Sequence, residues 1–124
     1  MISVLIKSAE KFGIDEEIVR EKVLQILKKN RVGKAEVSVA FVGSEEIRKL
    51  NKKYRSLNKP TSVLSFSQLK GRAFYFVPDK VVRLGDVVIC PEIAKNRDLE
   101  IGFLLEHGIK NLLSEISTAK NRRA

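Results

Sequence analysis

DLEIGFLLEHGIKNLLSEIS, residues Asp98 to Ser117, carries apolar side chains at three- and four-residue steps, which is the spacing of a helix. Together these side chains cover most of a helix's circumference. They are Leu99, Ile101, Phe103, Leu104, Leu105, Ile109, Leu112, Leu113 and Ile116. Because a helix that is apolar on most sides is usually packed inside its domain, the pattern predicts a central, buried helix.

The few polar positions of this helix form one stripe. His107 and Asn111 are four residues apart and share a face, and Glu100 lies two turns earlier in the same row. His107 is the only histidine of the chain. The stripe has two interpretations: either a core helix reaches water there, or the stripe is the wall of a site. A lone histidine is more often structural than catalytic.

The remaining apolar patterns are shorter and predict the elements around this helix. Alternating or continuous apolar residues predict strands over Ile2 to Lys7, Ala35 to Val42, Thr61 to Phe66 and Val87 to Cys90. Asp15 is predicted to cap a helix that runs to about Lys29, and Ser44 to cap a second helix from Glu45 to about Tyr54. Glu92 to Asn96 predicts a single helical turn.

Two sets of side chains are expected to anchor the flanking helices. The first helix should bury Ile18, Val19, Val23, Ile26 and Leu27, and the second Ile47, Leu50 and Tyr54. The predicted fold class is α+β: a small mixed β-sheet with two flanking helices and a central buried C-terminal helix. At 124 residues, we expect residues 1–124 to form one domain.

The composition restricts the class of protein. No apolar run approaches the roughly 18 residues of a membrane span, and MISVLIKSAEKFG is too quickly charged for a signal peptide. One cysteine, Cys90, excludes an internal disulfide and a multi-cysteine zinc site, and suits the cytoplasm. The net charge of +9 favours a polyanionic partner such as nucleic acid, although basic surfaces also serve solubility.

The densest positive cluster follows the second predicted helix. Its members are Arg48, Lys49, Lys52, Lys53, Arg55 and Lys59, with Glu46 as the one acid expected to offset them. A charge run on a helix is usually a solvated face, so the cluster has that simple interpretation beside nucleic-acid binding.

Three features are candidates for a site: Arg55 before a turn, Asp86 at the start of a buried strand, and His107 with Asn111. Arginine suits phosphate because its planar fork donates two parallel hydrogen bonds. Histidine can transfer protons near neutral pH or bind a metal. A further run, Ala73 to Val77, is aromatic and predicts either base stacking or, more commonly, a hairpin packed on the core.

Two segments of the chain resemble sequence motifs of a known family. Residues 50–66, LNKKYRSLNKPTSVLSF, closely resemble the L-N-x-x-Y-R-x-x-D-K-P-T-D-V-L-S-F signature of the YbeY family. Residues 84–90, LGDVVIC, resemble its second motif, L-G-D-I-x-I-C, and the order of elements agrees over nearly the whole chain. The family contains bacterial rRNA maturation factors, described as single-strand-specific, metal-dependent endoribonucleases.

The resemblance implies a cytoplasmic protein whose partner is single-stranded rRNA or the ribosome. Arg55 and His107 would be the catalytic residues, with Arg55 holding the scissile phosphate. The remaining cations of the cluster would bind RNA, namely Arg48, Lys49, Lys52, Lys53 and Lys59.

The third family motif, H-G-x-L-H-L-L-G-Y-D-H, contains three histidines that bind zinc, and here the chain departs from it. Residues 107–117 read HGIKNLLSEIS, so that His107 remains while Asn111 and Ser117 replace the other two ligands. Ser114 replaces the glycine that would bend the chain, and the helix is expected to continue. One imidazole with an amide and a hydroxyl is a poor zinc site. Zinc is thus implied by the resemblance but not expected from the residues present.

Ser62 also departs from the family, which usually has Asp or Asn there, while Cys90 and Glu115 lack the spacing of replacement ligands. Two hypotheses follow. In the first, the chain is a working ribonuclease acting on rRNA. In the second, it keeps the fold and a basic groove and binds RNA or a ribosomal partner without cutting.

Overall fold

The computed structural model of the chain describes residues 2–67 and 82–123, with the side chains of the last helix described as far as Glu115. The elements in chain order are β1 (Ile2–Lys7), α1 (Glu16–Lys29), β2 (Ala35–Phe41), α2 (Ser44–Arg55), β3 (Val63–Ser67), β4 (Val82–Ile89), α3 (Pro91–Asn96) and α4 (Ile101–Arg123). A short 3-10 turn, Glu10–Phe12, lies between β1 and α1. The aromatic run from Ala73 to Val77 lies outside the described residues.

The four strands form one mixed sheet in the order β1-β2-β4-β3. β1, β2 and β4 are parallel, and β3 runs antiparallel to β4. Gly85 sits at an irregularity of β4 with φ +131°, and a Cβ there would lie 2.1 Å from the Phe66 carbonyl oxygen. Only glycine therefore lets β3 approach β4 this closely.

Helices cover both faces of the sheet. α1 and α4 pack on one face and bury a core that includes Leu27, Val39, Leu105 and Ile109. α2 packs on the other face, where Ile47 meets Leu64, Val88 and Cys90. The predicted α+β class, with its mixed sheet and two flanking helices, is confirmed.

Three large side chains expected in the core are exposed. Ile18 is 65% exposed, Tyr54 55% and Phe103 59%. A sheet contacts only part of a helix's circumference, and neighbouring residues on a helix point about 100° apart. Ile18, beside buried Val19, therefore lies off the contact face, and Phe103 faces outward beside buried Leu104. The central helix is thus buried on one side rather than all round.

The helix starts follow the predicted signals with one change. Asp15 caps α1, since its Oδ1 accepts a hydrogen bond from the Glu17 backbone N–H at 2.9 Å. Ser44 does not cap α2 but is its first residue, with Gly43 at the N-cap. Within the described part of the chain, no helix combines the length and apolar character needed to cross a bilayer.

Candidate functional site

Two adjoining cavities lie between the end of α2, strand β3 and helix α4, and we call them together the groove. The first has a volume of about 540 Å³ and the second about 350 Å³. Arg55, Ser65 and Asn111 line both cavities and so form their common wall. The first cavity is also lined by Tyr54, Phe66, Ser67, Leu112, Ser114 and Glu115. The second is also lined by Asn51, Leu57, Lys59, Pro60, Thr61, Val63, Leu64, Arg97 and His107.

Arg55 is placed at the common wall by the end of α2. It is the last residue of the helix, and Ser56 ends the helix in the left-handed region with φ 58°. Arg55 Nη2 donates a hydrogen bond to the Ser65 carbonyl oxygen at 3.0 Å, which fixes the guanidinium against β3. Because a guanidinium carries five N–H donors, this bond leaves donors for an anion in the groove.

Asn51 holds the loop that follows Arg55. It is only 3% exposed, and its Nδ2 donates to the Lys59 backbone carbonyl oxygen at 2.9 Å. The backbone carbonyl oxygen of Asn51 accepts a hydrogen bond from the Leu57 N–H at 3.3 Å. These bonds fold the loop back, so that Lys59 lines the second cavity. Asn51 was not among the predicted site residues. It could have been found from the sequence as a polar residue four positions after Ile47, on the buried face of an amphipathic helix.

His107 projects from α4 into the second cavity, with Asn111 one turn further along the groove. Both side chains are exposed, although Gly108 and Ile109 beside them are buried. Gly108 packs on β4 so closely that a Cβ there would lie 2.7 Å from Val87 Cγ1. The polar stripe is therefore both where the helix meets water and the wall of a cavity.

Arg97 is a site residue that the sequence analysis missed. It is the C-cap residue of α3 and lines the second cavity with Arg55, Lys59 and His107. Nothing in its local pattern singles it out, because only the path from β4 through α3 to α4 brings it to the groove. None of the described residues that line this cavity is a carboxylate, so the permanent charges of its described lining are all positive.

Arg48 has partners within the chain. Its Nε donates to Glu45 Oε2 at 3.0 Å, its Nη2 contacts Glu45 Oε1, and its Nη1 contacts Asn58 Oδ1. The Arg48 hydrogen bond lowers the pKa of the Glu45 carboxyl, and the same bond raises the pKa of Arg48. The expectation that Glu46 alone offsets the cluster is therefore wrong, because Glu45 does so at Arg48.

The other cations of the cluster lie outside the two cavities. Lys49, Lys52 and Lys53 are exposed along α2 and line neither of them. Lys53 Nζ lies 5.2 Å from the centroid of the Tyr54 ring. Of the six predicted cations, the structure places Arg55 and Lys59 in the groove.

Asp86 lines neither cavity of the groove, although a cavity that it does line shares Tyr54 and Phe66 with the first one. It lies half-buried in β4 and lines a third cavity of about 410 Å³ that includes Lys7 and Ser38. His107 and Asn111 do not line that cavity, so the structure does not join Asp86 to the polar stripe of α4.

The residues present do not fit a zinc ion of the family type. α4 continues without a break to Arg123, so positions 107 and 117 lie ten residues and roughly 15 Å apart along one helix. Two positions that far apart cannot supply ligands to one ion, whose donors lie about 2 Å from it. Among the described residues, no three His, Cys, Asp or Glu side chains group as metal ligands.

The fold and groove define a class: an α+β domain with a mixed sheet and a cationic groove suited to a polyanion. The family model described as Endoribonuclease YbeY matches residues 5–114. This chain belongs to the YbeY family, as the two motifs indicated. The matched region ends at Ser114, three residues before the position of the third family histidine.

Relatives named Endoribonuclease YbeY show the same relationship. The chain is 37% identical over 97 residues to the Lactobacillus gasseri protein, covering 67% of this chain and 55% of that protein. It is 32% identical to the Roseiflexus castenholzii protein, covering 81% and 69%, and 35% identical to the Macrococcus caseolyticus protein, covering 88% and 65%. The chain thus spans between about half and seven tenths of these relatives' lengths.

The solution structure of a Thermotoga maritima protein is similar in fold, with a TM-score of 0.52 and 29% sequence identity. The similarity covers 90% of this chain and 71% of that one.

Proposed function

We propose that this chain acts in rRNA maturation and engages single-stranded RNA in the groove, with the backbone phosphate next to the reacting bond at Arg55. One observation carries the proposal: Arg55, Lys59, Arg97 and His107 line one cavity whose described lining contains no carboxylate. Relatives at 32–37% identity that are named endoribonucleases supply the substrate class. Location in the cytoplasm and contact with the ribosome belong to the same proposal.

The charge arrangement suits a phosphodiester better than a small acid. A phosphodiester carries one negative charge spread over two oxygens, and the fork of Arg55 can donate to both at once. Lys59 and Arg97 also line this cavity and can contact the neighbouring phosphates. Lys59 carries a compact ammonium charge, and Arg97 carries a delocalised guanidinium charge. Much of the affinity for nucleic acid comes from such contacts, because each neutralised phosphate releases counterions.

His107 would transfer the proton if the chain cleaves RNA. It lines the same cavity as Arg55, and imidazole is the side chain that most often serves as general acid or base. The described residues do not fit the zinc ion that the family motif implies, so the role proposed for His107 does not depend on a metal. Asn111 would supply an amide donor and acceptor at the common wall.

A second candidate function is RNA binding without cleavage. It is favoured by one observation: the continuous helix α4, in which Asn111 and Ser117 stand where the family has zinc ligands. The groove cations remain in place, so binding would be kept while metal-assisted chemistry is lost.

A cleavage assay separates the two functions. Single-stranded RNA is incubated with wild-type chain, Arg55→Ala, His107→Ala and, as a control, Lys34→Ala. Lys34 immediately precedes β2, is exposed, and lines neither cavity of the groove. Cleavage by wild type and Lys34→Ala that is lost in both groove variants supports the ribonuclease. RNA binding by wild type with no cleavage by any of the four proteins supports the second function, and cleavage unchanged in Arg55→Ala contradicts the site.

A further inference from the structure

We propose that Tyr54 is a base-stacking residue: its exposed ring holds a nucleobase of the RNA strand whose phosphate lies at Arg55. This inference rests on the proposed function, since it names how the same groove recognises a single strand. Tyr54 precedes Arg55 and lines the first cavity, whereas the basic residues Lys59 and Arg97 line the second.

Tyr54 is more exposed than its position in the sequence predicts. As part of an amphipathic helix it was expected to anchor α2 to the sheet, yet 55% of the residue is exposed. The ring is nevertheless held in place. It meets the Phe66 ring edge-on, with the centroids 5.1 Å apart and the planes at 64°. An aromatic ring that is both exposed and fixed can stack on a base with little loss of side-chain entropy.

The two cavities differ in charge, and this difference assigns the base to the first one. Glu115 lines the first cavity and would repel a phosphate there. The described lining of the second cavity has three cations and no carboxylate. A strand that crosses the common wall at Arg55 therefore places its phosphates toward Lys59 and Arg97 and a base beside Tyr54.

Lys53 adds charge at the aromatic end of the groove. Its Nζ lies over the face of the Tyr54 ring, 5.2 Å from the centroid. Since Lys53 is an exposed, flexible side chain, a base that stacks on this face displaces the ammonium toward the phosphate of the same nucleotide. Stacking of this kind does not depend on sequence, because every base has a π-face. It does require an unpaired base, so it selects single strands over duplexes.

The emission of Tyr54 itself tests the proposal. The chain has two tyrosines and no tryptophan, so in a Tyr75→Phe background Tyr54 is the only strong emitter. A dye-labelled single-stranded RNA is titrated into this protein, and dye anisotropy reports binding while tyrosine emission reports stacking. We expect emission to fall in parallel with binding, because a stacked base quenches the ring.

Two variants and an altered RNA isolate the ring. Tyr54→Phe should bind about as well as wild type, while Tyr54→Leu, which keeps an apolar side chain, should bind about tenfold more weakly. Abasic sites introduced one at a time should include one that weakens wild-type binding but leaves Tyr54→Leu binding unchanged. Urea denaturation of each variant confirms that the fold is retained.

The possible results separate the stacking role of Tyr54 from the proposed function of the groove. Quenching together with loss of the abasic effect in Tyr54→Leu establishes the stacking contact. RNA binding with unchanged emission and wild-type affinity in Tyr54→Leu overturns the stacking role but leaves the proposed function standing. Absence of binding in every variant, wild type included, overturns both.

Discussion

Replacing Gly108 by alanine should destabilise the fold by forcing α4 away from β4. Gly108 is buried beside His107, and a Cβ added there would lie 2.7 Å from Val87 Cγ1 and 3.1 Å from Cγ2. Both distances are well below van der Waals contact, and Val87 is fully buried, so the clash cannot be relieved by swinging a flexible side chain into water.

Two opposing terms set the magnitude. Alanine is favoured over glycine inside a helix by about 1 kcal/mol, whereas overpacking a core costs about 1–3 kcal/mol. Gly108→Ala alone should therefore lower the free energy of unfolding by up to about 2 kcal/mol. Val87→Ala removes both methyl groups that the new Cβ would meet and costs about 1–3 kcal/mol as a cavity.

A double-mutant cycle isolates the steric term. Wild type, Gly108→Ala, Val87→Ala and the double variant are unfolded in urea, and their free energies of unfolding are compared. If the two atoms clash, the double variant should be about 1–3 kcal/mol more stable than the sum of the single effects predicts. Additive effects would show that α4 does not approach β4 as described, and the position of His107 would then lose its support.

Three further predictions concern charge and metal. Arg97→Ala should weaken the binding of single-stranded RNA and lower the salt dependence of that binding, whereas Lys34→Ala should do neither. Titrations at several salt concentrations measure both quantities. Equal effects of the two substitutions would show that Arg97 does not contact the RNA. The pKa of Glu45, measured by NMR, should lie below the ordinary value of a glutamate and rise in Arg48→Leu. Because the folded-state pKa is lowered, this contact contributes stability above the unfolded-state pKa, and that stability is lost as the pH falls through the folded-state pKa. An unchanged pKa in the variant would contradict the pairing. Elemental analysis after brief zinc exposure and dialysis should find well under one zinc per chain, and about one per chain would show that other ligands complete a site around His107.

The elements could be predicted because each has a strong local pattern. Val37, Val39 and Phe41 alternate with less buried residues in β2, and all three are buried in the structure. The continuation of α4 was predictable as well, since Ser114 lacks the conformational freedom of the glycine found there in the family.

The site was harder to predict because it depends on packing between distant segments. His107 and Asn111 allowed two interpretations, and the structure places both on the wall of the groove. Arg97 gave no local signal, and the exposure of Tyr54 depends on how far the sheet extends beneath α2. The pairing of Arg48 with Glu45, by contrast, could have been found from their spacing of three residues on a helix.

Arg55, at the common wall of the groove, is the phosphate ligand on which the proposed function depends most. The most direct test is the affinity for a single-stranded RNA measured over a range of salt concentrations for wild type, Arg55→Ala and Lys34→Ala. We expect Arg55→Ala to bind more weakly and the slope of log affinity against log salt to fall by about 0.7, the value for one lost phosphate contact on a single strand. Lys34→Ala should match wild type. Equal affinity and slope in all three proteins would contradict the assignment of the groove to RNA.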